Sequence, residues 1–244
     1  MKNIKLTIEY DGTNYHGWQS QENALTVQDV VEKAINKLTG EQCSLNGSSR
    51  TDTGVHALGQ AANFFTESSI PPDKFSFALN SILPGDVSIK HSEEVNMDFH
   101  ARFMSKGKKY RYLIYNSRMP SALLRNRAMH VPLSLDEGKM LKAAQFLLGK
   151  HDFVSFRASG STVKTSERTI YGVSLKRTED LLEFEIQGDG FLYNMVRIIV
   201  GTLVQVGSGK LDVLDMPFII EAKDRRKAGL TAPAQGLYLV EVYY

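Results

Sequence analysis

The chain has 244 residues, of which 42% are hydrophobic, and its formal net charge at pH 7 is +2. This length predicts one large domain or two small ones, and the hydrophobic share is normal for a folded soluble protein. The single cysteine, Cys43, excludes an intrachain disulfide and suits a reducing compartment. No signal-peptide core and no apolar run of about 20 residues is present, so we expect a cytoplasmic protein without a membrane span.

Two short segments concentrate positive charge although the chain as a whole is almost neutral. They are residues 106–111, with three lysines and one arginine, and residues 223–227, with two lysines and two arginines. One such run alone is as often a solvated surface as a binding surface. Two runs together predict a polarised surface that attracts an anion such as nucleic acid.

The first half of the chain alternates strand and helix signals. Apolar residues at helical spacing predict a helix between the cap Thr26 and the stop Gly40, and a shorter helix over residues 75–82. Strands are predicted at residues 5–10, around residues 87–89 and at residues 109–115.

In the second half, periodicity fails over residues 116–127 and then resumes. Ser134 and Glu137 form a capping-box pattern that predicts the start of a helix. The elements predicted after it are strands at residues 168–175 and 181–186, an apolar helix at 191–206, a basic helix at 217–228 and a strand at 237–243.

Each half therefore supplies strands and about two helices in mixed β-α-β order. This pattern predicts an α+β protein with two similar subdomains, residues 1–116 and 117–244, that share one sheet system. The halves show no sequence repeat, so their similarity is one of pattern.

Residues 48–57, Ser-Ser-Arg-Thr-Asp-Thr-Gly-Val-His-Ala, indicate chemistry more than packing. The carboxylate of Asp52 can serve there as a nucleophile, a base or a ligand, or it can simply bond to its own turn. Asp-Thr-Gly also matches the aspartic-protease signature, but that chemistry needs two carboxylates sharing a proton, and the chain has no second motif. Arg50, two residues away, also favours an ionised carboxylate over proton sharing.

Arg197 lies in a segment that is apolar on nearly every side. The arginine either extends its head to water at the rim or pairs with a buried carboxylate. A pair of the second kind would lower the pKa of an aspartate by about 1–3 units and hold it as an anion.

Tyr110 and Tyr112 share one face of the predicted strand at residues 109–115, because side chains alternate along a strand. They are either ordinary sheet-face residues or a platform on which an extruded base stacks, with lysines nearby for phosphate. The basic runs and tyrosines alone would also fit a non-catalytic RNA-binding module. The scattered histidines and the single cysteine give no metal-ligand spacing.

Taken together, these motifs resemble the TruA family of tRNA pseudouridine synthases over nearly the whole chain. Each block is modestly specific, whereas all of them in this order are highly specific. The blocks are residues 10–19 (Tyr-Asp-Gly-Thr-Asn-Tyr-His-Gly-Trp-Gln), 49–57, 99–102 (Phe-His-Ala-Arg), 109–112 (Lys-Tyr-Arg-Tyr), 151–153, 190–197 (Gly-Phe-Leu-Tyr-Asn-Met-Val-Arg) and 232–239 (Ala-Pro-Ala-Gln-Gly-Leu-Tyr-Leu).

The resemblance implies a pseudouridine synthase fold, with a continuous, mainly antiparallel sheet and flanking helices, and roles for single residues. Asp52 matches the catalytic aspartate, which attacks C1′ of the uridine or abstracts its 2′ proton. Arg197 matches its ion-pair partner, and Tyr110 matches the tyrosine that stacks on the target base and takes the C5 proton. Arg50 matches the arginine that flips the nucleotide, and Leu237 a wall of the pocket.

The resemblance also implies the substrate and the assembly. Uridine in tRNA, at positions 38 to 40 of the anticodon stem-loop, would be isomerised without a cofactor or metal. The enzyme would act as a homodimer with the tRNA crossing both subunits. Lys108 and Lys109 are the basic residues expected to contact the RNA backbone.

Overall fold

The computed structural model describes residues 1–160 and 165–244. These residues form two compact units: Met1–Lys106 with Tyr238–Tyr244, and Gly107–Leu237. This division differs from the boundary expected after residue 116. The strand at Gly107–Tyr115 groups with the second unit because its hydrogen-bonding partner, the strand at Leu181–Gly188, belongs there.

The strands and helices follow one another in a mixed order. The strands are β1 (Lys2–Tyr10), β2 (Asn46–Gly47), β3 (His56–Thr66), β4 (Val87–Val95), β5 (Gly107–Tyr115), β6 (Met129–His130), β7 (Gly149–Asp152), β8 (Glu167–Thr178), β9 (Leu181–Gly188) and β10 (Leu237–Tyr243). The α-helices are α1 (Val27–Thr39), α2 (Phe75–Asn80), α3 (Glu137–Gln145), α4 (Met195–Gly207) and α5 (Asp215–Ala222). Both units are built from mainly antiparallel strands with helices, which confirms the predicted α+β class.

In the first unit, β1 is the central strand and pairs antiparallel with β3 on one side and β4 on the other. On the edge of β3 away from β1, the C-terminal strand pairs in parallel, with Tyr238 opposite His56 and Leu239 opposite Ala57, and β2 pairs antiparallel further along. Ile4, Leu6 and Ile8 of β1 are fully buried, as the predicted alternation requires. The strand that leads out of residues 48–57 is therefore held on both sides.

Helix α1 confirms both end signals read from the sequence. Thr26 is its N-cap and accepts a hydrogen bond from the main-chain nitrogen of Asp29, and Gly40 follows as the C-cap. Val27, Val31 and Ile35 are fully buried, so the apolar stripe is the face that anchors the helix.

Strand β3 is the one long element that the sequence did not predict. Its sequence, His-Ala-Leu-Gly-Gln-Ala-Ala-Asn-Phe-Phe-Thr, is rich in residues of low strand propensity and lacks alternation. The strand is buried on both faces, and the side-chain amides of its Gln60 and Asn63 form hydrogen bonds to residues outside the strand. Gln60 bonds to Ser48 and Ser49, and Asn63 bonds to Asn3.

In the second unit, β5, β9, β8 and β7 are neighbours in that order, each antiparallel to the next, and β6 pairs parallel with β5. Tyr110 lies opposite Ile186 and Tyr112 opposite Phe184 across the β5–β9 pair. The predicted strand at residues 109–115 and the two strands that follow it in β8 and β9 are confirmed.

Three helix boundaries in this unit differ from the prediction. The N-cap of α3 is Asp136, which accepts from the main-chain nitrogen of Lys139, so Ser134 is not the cap. Helix α4 begins at Met195 and not near Phe191, because Asn194 adopts a left-handed conformation with φ 59°. The predicted basic helix ends at Ala222, and the basic residues follow it.

Two acidic residues of β9 neutralise two basic residues of β5. Lys109 Nζ lies 2.6 Å from a Glu185 carboxylate oxygen, and Arg111 lies 3.0 Å from the other oxygen of Glu185 and 3.3 Å from Glu183. Burial of Glu185 opposes its ionisation, but the hydrogen bonds from Lys109 and Arg111 outweigh it and hold the pKa of Glu185 below its ordinary value.

This lowered pKa gives a pH dependence of stability with a definite sign. A carboxyl whose pKa is lowered by folding stabilises the protein above its unfolded-state pKa of about 4.3, and the contribution disappears as the pH falls through the folded-state value. We expect Glu185→Gln to lower the free energy of unfolding by about 1–2 kcal/mol at pH 7 and by less at pH 3. Urea unfolding at both pH values measures this difference. The exposed strand residue Glu94 supplies the control, and Glu94→Gln should cost little at either pH. An equal cost of Glu185→Gln at both pH values would contradict the assignment.

None of the described helices is long and apolar enough to cross a membrane.

Candidate active site

The segment at residues 48–57 is fixed to the sheet of the first unit by side chains from its neighbours. The Gln60 amide donates to the main-chain oxygen of Ser49 at 2.7 Å, and the Ser48 hydroxyl donates to the Gln60 carbonyl oxygen at 2.7 Å. The hydroxyls of Tyr10 and Thr51 lie 2.7 Å apart and are both buried. Ser48, Ser49 and Thr51 are thus polar residues whose hydroxyls or backbone atoms hold the loop in place.

Asp52 follows directly after this anchored stretch and is half-buried. Its main-chain oxygen accepts a hydrogen bond from Val55 at 3.1 Å, which closes a turn. Gly54 occupies the left-handed region at φ 77°, so the glycine two residues after the aspartate does allow the chain to turn. The turn interpretation and the catalytic interpretation of Asp52 are compatible, because the turn uses its backbone.

Gly17 supports the loop from below through close backbone contact. A Cβ at this position would lie 2.4 Å from the main-chain oxygen of Thr51 and 3.1 Å from the carbonyl carbon of Asp52. Gly17 also has a φ of 85°, a conformation in which a residue with a Cβ is strained. The main-chain nitrogen of Trp18 donates to that same Thr51 oxygen at 3.2 Å.

We expect Gly17→Ala to displace the Asp52 loop, because the obstructing atoms are backbone and cannot rotate away. If Asp52 is the catalytic carboxylate, the rate of the step that it catalyses should fall by at least about 10²-fold, because a displacement near 1 Å of a reacting group can cost that much. Single-turnover kinetics together with the melting temperature measure the effect. Gly85→Ala is a matched control, since a Cβ there meets no atom within 4 Å. A Gly17→Ala protein that turns over at the wild-type rate would refute this role.

Tyr110 and Tyr112 lie on β5 in the second unit, and both are buried. The Tyr112 hydroxyl donates to the main-chain oxygen of Pro233 at 2.7 Å, and burial raises the pKa of this phenol. Tyr110 packs edge-on against the ring of Phe191, with ring centroids 5.1 Å apart. The structure therefore assigns Tyr112 to holding the segment that leads to β10, whereas Tyr110 is fixed by an aromatic contact at its ring.

Hydrogen bonds within the second unit hold both the side chain and the main chain of Arg197. Its Nε donates to the main-chain oxygen of Ala232 at 2.8 Å, and its Nη1 donates to the side-chain oxygen of Asn194 at 2.7 Å. The Arg197 main-chain oxygen in turn accepts from the nitrogen of Ala232 at 3.0 Å. Asn194 makes its contact from the left-handed conformation that precedes α4. The guanidinium is thereby oriented with little rotational freedom.

The two lysines expected to contact RNA lie on opposite faces of β5. Lys108 shares the face of Tyr110, since it lies two residues before it, while Lys109 lies on the face of Arg111. Lys109 is the residue paired with Glu185. Leu237, expected in the pocket wall, is buried at the first position of β10.

The second basic segment, residues 223–227, is closer to neutral than its sequence suggests. Lys223 lies 3.0 Å from Asp152, and Arg226 lies 2.9 Å from Asp224. The hydrogen bond from Arg226 lowers the pKa of Asp224 to about 2. Arg225 donates to main-chain oxygens of its own loop. Three of the four cations thus have partners within the chain.

The first unit brings Asp52 and Arg50 together on one loop, and the second unit holds Tyr110, Arg197, Lys108, Lys109 and Leu237. The pairing of Asp52 with Arg197 stays a prediction. The sequence analysis did not predict the residues that hold the candidate site residues in place. These are Phe191, which packs against Tyr110, Asn194, which bonds to Arg197, and Gln60, which bonds to the Asp52 loop. A signal for the first two was present, since both lie in the 190–197 block.

The comparisons of this chain with known proteins all indicate the same protein family. The model of the family described as tRNA pseudouridine synthase matches residues 6–104 and 143–244. A protein of Acetivibrio thermocellus named tRNA pseudouridine synthase A is 65% identical over 244 residues, covering all of both chains. A protein of the same name from Ruminiclostridium cellulolyticum is 58% identical, and one from Caldicellulosiruptor bescii is 54% identical, again over the full length of both chains.

The matched family, the α+β fold and an aspartate on an anchored loop together indicate an RNA-modifying enzyme. The chain belongs to the tRNA pseudouridine synthase family. It is accordingly an isomerase that acts on uridine in tRNA. The alternatives of an aspartic protease and of a non-catalytic RNA-binding module are not retained.

Proposed function

We propose that the enzyme converts uridine to pseudouridine at positions 38 to 40 of the tRNA anticodon stem-loop, with Asp52 as the catalytic carboxylate. The role of Asp52 rests on its half-buried place in a loop whose neighbouring residues are fixed by Gln60, Tyr10 and Trp18, and the positions rest on the resemblance of the chain to its family. A nucleophile or base must be held in place before the substrate arrives, because positioning supplies much of the rate.

The reaction moves the bond to C1′ from N1 to C5 of the uracil without gain or loss of atoms. The bond between N1 and C1′ breaks, the uracil rotates while bound, and C5 forms a bond to C1′. Asp52 either attacks C1′ and leaves when C5 attacks, or takes the 2′ proton to give a glycal and later returns it. Both routes require an ionised carboxylate at the start. The C5 proton then leaves and N1 takes up a proton, so that the base regains its conjugated ring and the product is an isomer of the substrate.

We assign the remaining roles as follows. Arg197 serves as the cation that keeps Asp52 ionised, and its fixed orientation supports this role. Tyr110 stacks on the uracil and accepts the C5 proton, and Leu237 is an apolar wall. Arg50, which is exposed on the loop, fills the space left by the extruded nucleotide. Lys108 contacts the RNA backbone, and Lys109 does so only where its ion pair with Glu185 opens.

The position specificity is tested with transcripts that differ only in their uridines. Uridine labelled with tritium at C5 releases the label when the C5 proton leaves, so tritium in solution counts turnovers. We expect release from a tRNA with uridine at positions 38 to 40 and none from a transcript in which cytidine replaces those uridines. Equal release from both transcripts would contradict the assignment of positions.

We further propose a cytoplasmic homodimer that binds one tRNA across both subunits. The support for this assembly is the resemblance of the whole chain to its family. Light scattering of the purified protein reports its mass against the 27.3 kDa of one chain.

A further inference from the structure

The first unit contains a groove beside the Asp52 loop that, apart from Arg50, takes no part in the catalytic roles proposed above. Its volume is about 330 Å³, and its lining includes Trp18, Arg50, His100, Arg102 and Phe103. Arg50 connects the groove to the Asp52 loop. His100, Arg102 and Phe103 come from residues 99–104, between β4 and β5, whereas the rest of the lining comes from residues 18–50.

The backbone of residues 99–104 is held by buried polar groups. The Asn3 amide donates to the main-chain oxygen of Phe99 at 2.9 Å, and the carbonyl oxygen of Asn63 accepts from the nitrogen of Ala101 at 2.9 Å. The Tyr244 hydroxyl donates to the main-chain oxygen of Ala101 at 2.7 Å. Asn3, Asn63 and Ala101 are fully buried. The segment is therefore a fixed support and not a loose connection.

This fixed segment presents an aromatic ring to solvent. Phe103 is 76% exposed. The His100 ring lies beside it at a centroid distance of 4.3 Å, and the Arg102 guanidinium lies 5.8 Å from its centre. An ordered aromatic ring with a cation beside it is the arrangement on which nucleic-acid bases stack.

The charges of the groove suit phosphate. Arg50 and Arg102 are both exposed, and none of the described residues that line the groove is acidic. The cations at residues 109, 111, 223 and 226, by contrast, are paired with carboxylates. The groove thus combines a stacking surface with two arginines beside the catalytic loop.

We propose that this groove binds an unpaired nucleotide of the RNA substrate other than the isomerised uridine, with its base stacked on Phe103 and its phosphates near Arg50 and Arg102. The inference rests on the proposed function, because it takes the occupant to be part of the tRNA. It assigns to residues 100–103 the task of fixing where the stem-loop lies relative to Asp52.

The test measures binding of a fluorescent anticodon stem-loop RNA by anisotropy. We expect Phe103→Ala to raise the Kd by roughly 5- to 150-fold, the range for loss of one stacked base. Phe103→Tyr should keep the wild-type Kd, because it keeps the ring. Phe77 is a matched control, since it is 72% exposed and has the Lys74 ammonium 5.4 Å from its ring. Phe77→Ala should leave the Kd unchanged.

A second arm separates base stacking from a general effect on the surface. Stem-loops lacking one unpaired base at a time are bound to the wild-type and Phe103→Ala proteins. Removal of one base other than the isomerised uridine should raise the Kd of the wild-type protein as much as Phe103→Ala does. With that RNA, Phe103→Ala should raise the Kd no further. An unchanged Kd for Phe103→Ala, or the same additional loss with every RNA, would overturn the proposal.

Tritium release by the wild-type protein is measured in parallel and keeps the two proposals distinct. Failure of release at the expected positions counts against the proposed function, whereas an unchanged Kd for Phe103→Ala counts against the groove alone. Because Phe103 is mostly exposed, its removal should leave the melting temperature unchanged.

Discussion

Asp52→Asn should lose tritium release by about 10⁴-fold or more while binding the stem-loop RNA with the wild-type Kd. Loss of an essential nucleophile or base has effects of this size on the rate. Asparagine keeps the size and turn-forming properties of aspartate but can neither attack C1′ nor accept a proton. Single-turnover release at saturating protein measures the chemical step, and anisotropy measures the Kd.

The control for Asp52→Asn is Asp73→Asn, at an exposed carboxylate in the same unit. It should keep the full rate. Release by Asp52→Asn at a tenth of the wild-type rate or faster would show that another group carries the reaction.

Arg197→Met should lower both the stability and the rate, and the two effects can be separated. Methionine leaves the Ala232 carbonyl and the Asn194 amide without their donor. We expect a loss of about 2–4 kcal/mol from these two charge-assisted hydrogen bonds. For a chain of this size, the melting temperature should fall by about 4–16 °C.

The effect on the rate is read from the pH profile at a temperature where the variant is folded. If Arg197 keeps Asp52 ionised, loss of the cation raises the pKa of the Asp52 carboxyl, so the acid limb of the profile moves to higher pH. Raising the pH should then restore part of the rate. Arg197→Lys should shift the limb less, since it keeps the charge but not the planar geometry. A folded Arg197→Met protein with an unshifted profile would restrict Arg197 to a structural role.

Local signals predicted much of the fold. Thr26 and Gly40 end α1 where expected, and β10 has the predicted limits at residues 237–243, because caps and alternation depend on neighbouring residues only. Strand β3 could not be predicted in this way. Its Gln60 and Asn63 are buried, and their partners lie up to 60 residues away.

In the candidate site, too, the sequence predicted features that depend on neighbouring residues and missed contacts between distant residues. The composition of residues 48–57 left Asp52 open as a nucleophile, base, ligand or turn residue, and the resemblance to the family supplied the catalytic role predicted for it, for Tyr110 and for Arg197. The supports of these residues are tertiary: Gly17 beneath the loop, and Ala232 and Asn194 around Arg197. The basic runs are partly neutralised within the structure, because Lys109 and Arg226 pair with acids that the sequence does not mark as partners.

The most direct test of the central claim is a map of pseudouridine in tRNA from cells that lack this protein and are complemented with wild type or with Asp52→Asn. We expect pseudouridine at positions 38 to 40 to be absent without the protein, to return with the wild type and to stay absent with Asp52→Asn at equal protein levels. Restoration of these pseudouridines by Asp52→Asn would contradict this expectation.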